Sequence, residues 1–258
     1  MMEVAISLAI IGFALVAIIG VLPYGMNTQR DNREETVINQ DATMLIEAIR
    51  NGAYQHDELT NYIYAVTNYW QEYDGKGQPT ANNGYAGYTY LNAAYNNTPN
   101  SYIITNGARI VGLLSTPQFS DGFGGVPMAD VFGKAYVSNH VFAYVHSISG
   151  LAVEKPPQDN PIMREDTFTY RIYVVNAPVP VDTNTFNPNN LGAFATQLAA
   201  NQRELRLLFS WPLQPNGAIG SGRQNYRATI AGRLLATNYF NLGQTLYFYR
   251  PQNFVSAP

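Results

Sequence analysis

Residues 1–25 read MMEVAISLAIIGFALVAIIGVLPYG, and Glu3 is the one charged side chain among them. An apolar run of about twenty residues is long enough to cross a bilayer as an α-helix. A helix that is apolar on every side cannot remain in water, so this segment needs lipid or protein around it. A carboxylate at the edge of such a run is costly unless it finds a partner, which marks Glu3 as a functional position. A secretory signal would place Lys or Arg before the run and a small-residue cleavage site after it. Here nothing basic precedes the run, VLPYGMN is a poor cleavage site, and the nearest basic residues are Arg30 and Arg33. Read literally, the positive-inside tendency would hold the remainder of the chain in the cytoplasm. A basic leader ahead of Met1, removed on maturation, reverses that orientation, and such a leader is expected.

The helical pattern continues beyond the apolar run. In YGMNTQRDNREETVINQDATMLIEAIRNGAY, Val37, Ile38, Leu45, Ala48 and Ile49 recur at helical spacing, with Arg30, Glu34, Glu35, Asp41 and Glu47 between them. Gly52 is a stop signal. The spacing predicts one helix of about fifty residues, reaching roughly 75 Å. Residues 1–25 form its hydrophobic membrane or filament-core half and residues 26–53 its amphipathic half. Gly12, Gly20, Pro23 and Gly25 are its weak points, and a kink or short extended segment is predicted at or just before Pro23. Residues 54–258 are predicted to form an α+β head, with the amphipathic half packed on a mainly antiparallel sheet.

Within the head, Leu59, Tyr62, Ile63, Val66, Tyr69 and Trp70 predict a second helix over 57–70. Turn formers fill 73–101, which is expected to be a long loop. ARIVGLLST, AYVSNHVFAYVHSIS, TFTYRIYVV, ELRLLFSWPL, QNYRATIAGRLL and TLYFYR are expected strands. Alternation is clearest in Phe168, Tyr170, Ile172 and Val174, and again in Leu205, Leu207, Phe209 and Trp211. PLQPNGAIGSGRQ reads as a wide hairpin connection, and NNLGAFATQLAANQ as a short helix started by Asn190.

Composition narrows the function classes. Charged residues are 13% of the 258, net charge is −3 and no basic run stands out, so nucleic acid is not expected as a partner. The chain has no cysteine, which excludes disulfides and thiolate-held metals. His140 and His146 would lie about 20 Å apart along one strand and could not share a metal. No nucleophile elbow, P-loop or HExxH motif is present. No catalytic residue, metal or cofactor is therefore expected, and the chain reads as a non-enzyme. Asp121, Asp130 and Asp159 lie in turn-rich stretches, where turn chemistry competes with a calcium site. Asn96-Asn97-Thr98 fits the N-glycosylation pattern. Tyr85, Tyr88, Tyr90 and Tyr95 are candidate surface contacts, as amphipathic rings with few rotamers to freeze.

The opening segment resembles the mature N-terminus of type IV pilins and of type II secretion pseudopilins. In both, a short apolar lead and a glutamate precede an apolar helix with a glycine nine residues on, as Gly12 follows Glu3 here. NGARIVGLLSTP and ELRLLFSWPLQPNGAIGSGRQNYR also look like larger pilin-like proteins of the planctomycete–verrucomicrobial kind. This chain departs from the pattern in two places. Glu3 has a shorter lead than usual, and Pro23 stands three residues beyond the family's kink proline. The resemblance implies a structural subunit that polymerises through Met1, Glu3, Gly12, Gly20, Pro23 and Gly25. It implies itself as partner in a helical homopolymer, the inner membrane as host before assembly, and an assembly machinery with a prepilin peptidase. The filament would be extracellular or at the cell surface. A pseudopilin of a secretion system and a membrane-anchored periplasmic binding protein are the alternatives.

Overall fold

The computed structural model describes residues 2–52, 57–89, 101–104, 106–122, 124–148, 168–179, 198, 200–214, 216–239 and 244–251. The chain divides into two compact units, Met1–Gln40 and Asp41–Pro258. The described residues of the first unit, 2–40, lie within helix α1 (Met2–Asn51), whose last three turns belong to the second. α1 is helical without interruption through Pro23, so the predicted extended segment does not form. Proline's fixed φ of about −65° is already helical, and its missing N–H removes a single backbone bond. The helix stops at Gly52, which has φ +71° and whose N–H donates to the Ile49 carbonyl at 3.3 Å. A Cβ at Gly52 would also stand 2.8 Å from the Tyr249 carbonyl oxygen, so glycine is required twice over.

The second unit is built on one large sheet. Its strands are β1 (Ile63–Tyr73), β2 (Pro79–Thr89), β3 (Ser101–Ile103), β4 (Phe119–Ser120), β5 (Tyr136–His146), β6 (Thr169–Pro178), β7 (Gln202–Leu213) and β8 (Ile219–Ala231). Their order is β3-β2-β1-β5-β6-β7-β8, with β4 paired to β5. Every pairing is antiparallel except β2 with β3. A separate hairpin joins β9 (Arg233–Tyr239) to β10 (Gln244–Arg250). The fold is therefore α+β: a long N-terminal helix, hydrophobic in its first half, and a mainly antiparallel sheet.

The alternating segments behave as their pattern requires. Tyr170, Ile172 and Val174 of β6 and Leu205, Leu207, Phe209 and Trp211 of β7 turn one side of the sheet into a core. The connection from β7 to β8 is a tight turn, with Gln214 N–H donating to the Ala218 carbonyl at 2.8 Å.

Three expectations are corrected. Residues 57–70 are not a helix; a short 3₁₀ turn (Asp57–Asn61) leads into β1. The pairing of β1 with β5 shifts between Ile63 and Ala65, so a bulge places both Ile63 and Val66 in the core. A strand with one bulge buries residues three apart and so imitates a helical face. Residues 79–89, expected in the long loop, form β2. There Gly84 faces Trp70, whose indole would lie 2.8 Å from a Cβ at that position. ARIVGLLST is not a strand but contains α2 (Gly107–Leu114). Asn106 caps it by accepting the Arg109 N–H at 2.9 Å; its eight residues make only two turns and include the strand formers Ile110 and Val111, which is why the segment reads as a strand. Of the helix expected from Asn190, Leu198, Ala200 and Asn201 are helical and Gln202 already begins β7; the other residues lie outside those described.

The docked turns of α1 are held by burial and by one polar anchor. Ala42, Leu45, Ala48 and Ile49 are buried, and Asp41 is 1% exposed. Asp41 Oδ2 accepts the Tyr170 hydroxyl at 2.8 Å and the Ile148 N–H at 3.0 Å. Burial first, then the Asp41 charge and hydrogen bond, hold the Tyr170 phenol well above its ordinary pKa, so it remains a donor. A second buried node joins α2 to β6, β7 and β10. Asn176 Oδ1 accepts from Arg203 Nε at 2.9 Å and Tyr249 Oη at 2.7 Å, while its Nδ2 donates to the Ser115 carbonyl at 2.6 Å.

Replacing Asp41 tests the anchor. Asp41→Ala strands the Tyr170 hydroxyl and the Ile148 N–H, each at a cost of about 1–3 kcal/mol. The expected loss in denaturant unfolding is about 3 kcal/mol, against about 1 kcal/mol for Asp41→Asn, which keeps an acceptor. Equal losses for the two variants would show that the hydrogen bonds are not what the carboxylate contributes.

Candidate assembly site

Residues 2–26 of the first unit offer an almost wholly apolar surface to their surroundings. Fifteen large apolar side chains between Met2 and Met26 are each more than half exposed. Fully burying such a side chain is worth about 1.5–3 kcal/mol, so the segment leaves on the order of tens of kcal/mol unclaimed in water. The helix is long and apolar enough to cross a membrane, by length and composition. Its few polar side chains are turned back on the helix itself. Ser7 Oγ donates to the Glu3 carbonyl at 2.9 Å, and Thr28 Oγ1 donates to the Tyr24 carbonyl at 3.0 Å. Charge returns at Arg30, which pairs with Glu34 at 2.8 Å and closes the apolar stretch.

Glu3 occupies the first turn of α1, where a carboxylate complements the free N–H groups and the positive end of the helix dipole. It is exposed and has no ion pair among the described residues. Met1 lies outside the described residues. Gly12, Gly20 and Gly25 are open positions, because an added Cβ at any of them meets nothing within 4 Å. Such positions let a second helix approach closely. Pro23 sits inside the helix between Gly20 and Gly25.

The tyrosine candidates divide. Tyr85 is 49% exposed on β2, whereas Tyr88 is 5% exposed, because strand side chains alternate and two residues an odd number of positions apart point to opposite faces. Tyr90 and Tyr95 lie outside the described residues. Tyr85 belongs to an aromatic row that the sequence did not announce. Its ring lies 6.1 Å from Tyr69, which is 5.9 Å from Phe142, which is 4.9 Å from Tyr173. His140 Nδ1 is 2.8 Å from the Tyr173 hydroxyl, and the Arg171 guanidinium stands 5.1 Å from the centre of Phe142. These residues come from four strands, so only the register shows that they are neighbours. The row is the solvent face of the sheet and offers amphipathic rings with a cation at its edge.

The expected turn chemistry is present at two aspartates. Asp121 Oδ1 accepts the Val126 N–H at 2.8 Å, and Asp130 Oδ1 accepts the Phe132 N–H at 2.9 Å. Asp159 and His56 lie outside the described residues. His140 joins Tyr173, while His146 packs against Tyr64 at 4.5 Å, so the two do not form one site. Among the described residues, no group of three His, Cys, Asp or Glu gathers as metal ligands would.

No protein-family model, curated protein or solved structure matches this chain. The architecture is pilin-like in general: an apolar N-terminal helix, consistent with membrane association, and a sheet domain.

Removing the apolar stretch tests its role as the aggregating surface. The chain lacking residues 1–28 is expected to elute as a single discrete species without detergent and to keep the β-rich circular dichroism of the full chain. Aggregation of the shortened chain would place the sticky surface on the head.

Proposed function

We propose that this protein is a structural subunit of a type IV pilus-like filament, without catalytic activity, that polymerises through the apolar half of α1. The observation that carries this reading is a helix exposed and apolar all round from Met2 to Met26, with an acid in its first turn. In this reading the subunit waits in the inner membrane and is transferred into a helical fibre at the cell surface. A prepilin peptidase and an assembly machinery are implied by the resemblance of the N-terminus. Identical subunits joined by a contact that does not close on itself generate a filament.

Hydrophobic burial cannot by itself drive the transfer, because lipid already shelters the same side chains. Selectivity must come from packing and charge. An unmatched carboxylate in a poorly solvated bundle is expensive. Glu3 paired with a helix-terminal amine, its own or a neighbour's, removes that cost only when the subunit enters in register. Glu3 is then a register check, contributing specificity more than net stability.

Substitution at Glu3 tests the proposal. Glu3→Gln is expected to reduce fibre yield, and Glu3→Val to abolish ordered fibres, with the subunit still folded and at normal level in the membrane. Shearing followed by microscopy reads the yield, and immunoblotting of membranes supplies the control. Normal fibres from Glu3→Val at normal subunit level would reduce Glu3 to an incidental interfacial acid.

A further inference from the structure

A cavity of about 400 Å³ opens in the second unit, on the core-side face of β1 and β2, and no residue of α1 lines it. Its size falls near the lower end of the range for small-molecule sites, about 300–1,000 Å³. Trp70 and Glu72 of β1 and Tyr88 of β2 form part of its floor, and Asp121 and Tyr247 of β10 stand on its walls. The Trp70 indole is fixed over Gly84, the residue opposite it on β2. Tyr88 and Tyr102 stack at 5.4 Å, adding a second aromatic surface. Burial holds the Tyr88 phenol above its ordinary pKa and pushes Tyr247 up to about 12, so both stay neutral.

The polar groups of this cavity are biased toward acceptors. Asn139 Nδ2 donates to the Pro117 carbonyl at 3.1 Å, which fixes the orientation of that amide, since a carbonyl can only accept. Asn139 Oδ1 therefore accepts from Asn68 Nδ2, at 3.1 Å. The Asn68 Oδ1 at the end of this chain is buried and has no donor. Glu72 Oε2 accepts from Asn82 Nδ2 at 2.5 Å, which orients the carboxylate at the cavity rim. Among the described residues, the lining contains two carboxylates and no Lys, Arg or His.

This inventory selects the ligand class. An anion would meet two carboxylates and no counter-charge. A purely apolar ligand would desolvate the carboxylates and amides without replacing their hydrogen bonds. A compact ammonium would satisfy the carboxylates and leave the amide and hydroxyl positions unused. A pyranose carries hydroxyl donors around its edge and a C–H face that lies on an aromatic ring. We propose that this cavity binds a neutral pyranose sugar residue, seated on Trp70 and hydrogen-bonded by the Glu72 carboxylate at the rim. The proposal stands independently of polymerisation.

The chain has two tryptophans, and Trp211, which does not line the cavity, packs over Gly222. Trp211→Phe therefore leaves Trp70 as the sole tryptophan, read selectively by exciting beyond the tyrosine absorption. The full-length variant is titrated in a polyoxyethylene detergent, which carries neither sugar nor ammonium. Probes are the methyl glycosides of glucose, galactose, mannose and N-acetylglucosamine, the matching linear oligosaccharides, and tetramethylammonium. At least one glycoside is expected to give a saturable change, weakened about tenfold or more by Glu72→Gln and unchanged by Tyr69→Ala on the opposite face. An oligosaccharide that binds as well as its monosaccharide identifies a chain end as the natural ligand, whereas its exclusion identifies a free sugar. Calorimetry on the unsubstituted chain repeats the measurement if Trp211→Phe disturbs the fold. No saturable response to any sugar up to about 0.1 M in folded protein, equal binding by Glu72→Gln, or saturation by tetramethylammonium alone would overturn the assignment.

Discussion

A helix with no polar side is the constraint on which the rest of the chain depends. The apolar stretch of α1 exposes its side chains in every direction, so it is stable only where lipid or other helices surround it. A head that relied on this surface for its own core would unravel when the surroundings changed from bilayer to bundle. The second unit takes the last three turns of α1, beginning at Asp41, into its own core, and leaves the apolar residues 2–26 exposed.

That division explains the unusual cost accepted at the junction. A buried carboxylate is destabilising unless its hydrogen bonds are complete, and Asp41 meets Tyr170 and Ile148 from two separate segments. The bonds hold the end of the helix to β6 in one register, which an apolar contact alone would not specify. The Asn176 node does the same at the other end of the same face of β6, tying a buried Arg203 to β10 and the end of α2. Burial lowers the Arg203 pKa, so its acceptors matter to the charge it carries. A head fixed in this way presents its aromatic row and its cavity with constant geometry.

Much of this was legible in the sequence where one physical signal dominated. The apolar run, its continuation at helical spacing and the Gly52 stop were readable because nothing competes with them. The alternation of β6 and β7 was readable because each has one buried and one wet face. The signal failed where a local irregularity changed the period. The bulge at Ile63–Ala65 set buried residues three apart and passed for a helix. α2 passed for a strand because it is only two turns long and carries Ile110 and Val111, although the Asn106 cap was visible in NGAR. β2 had almost no apolar residues to announce it, and its pairing depends on Trp70 covering Gly84. The acid in the first turn was legible as an anomaly, and its partner was not. The cavity was illegible altogether, since it gathers residues from β1, β2, the 116–125 segment and β10.

The central claim is that the apolar half of α1 is an assembly surface. Its most direct test is electron cryomicroscopy of filaments sheared from cells that produce the protein, with the subunit verified by mass spectrometry. The account predicts a helical polymer whose core is a bundle of α1 segments, with Glu3 beside a helix-terminal amine and the sheet domains outside. A protein that stays monomeric in the membrane of a cell with an active filament machinery, or a fibre whose core excludes residues 2–26, would contradict it.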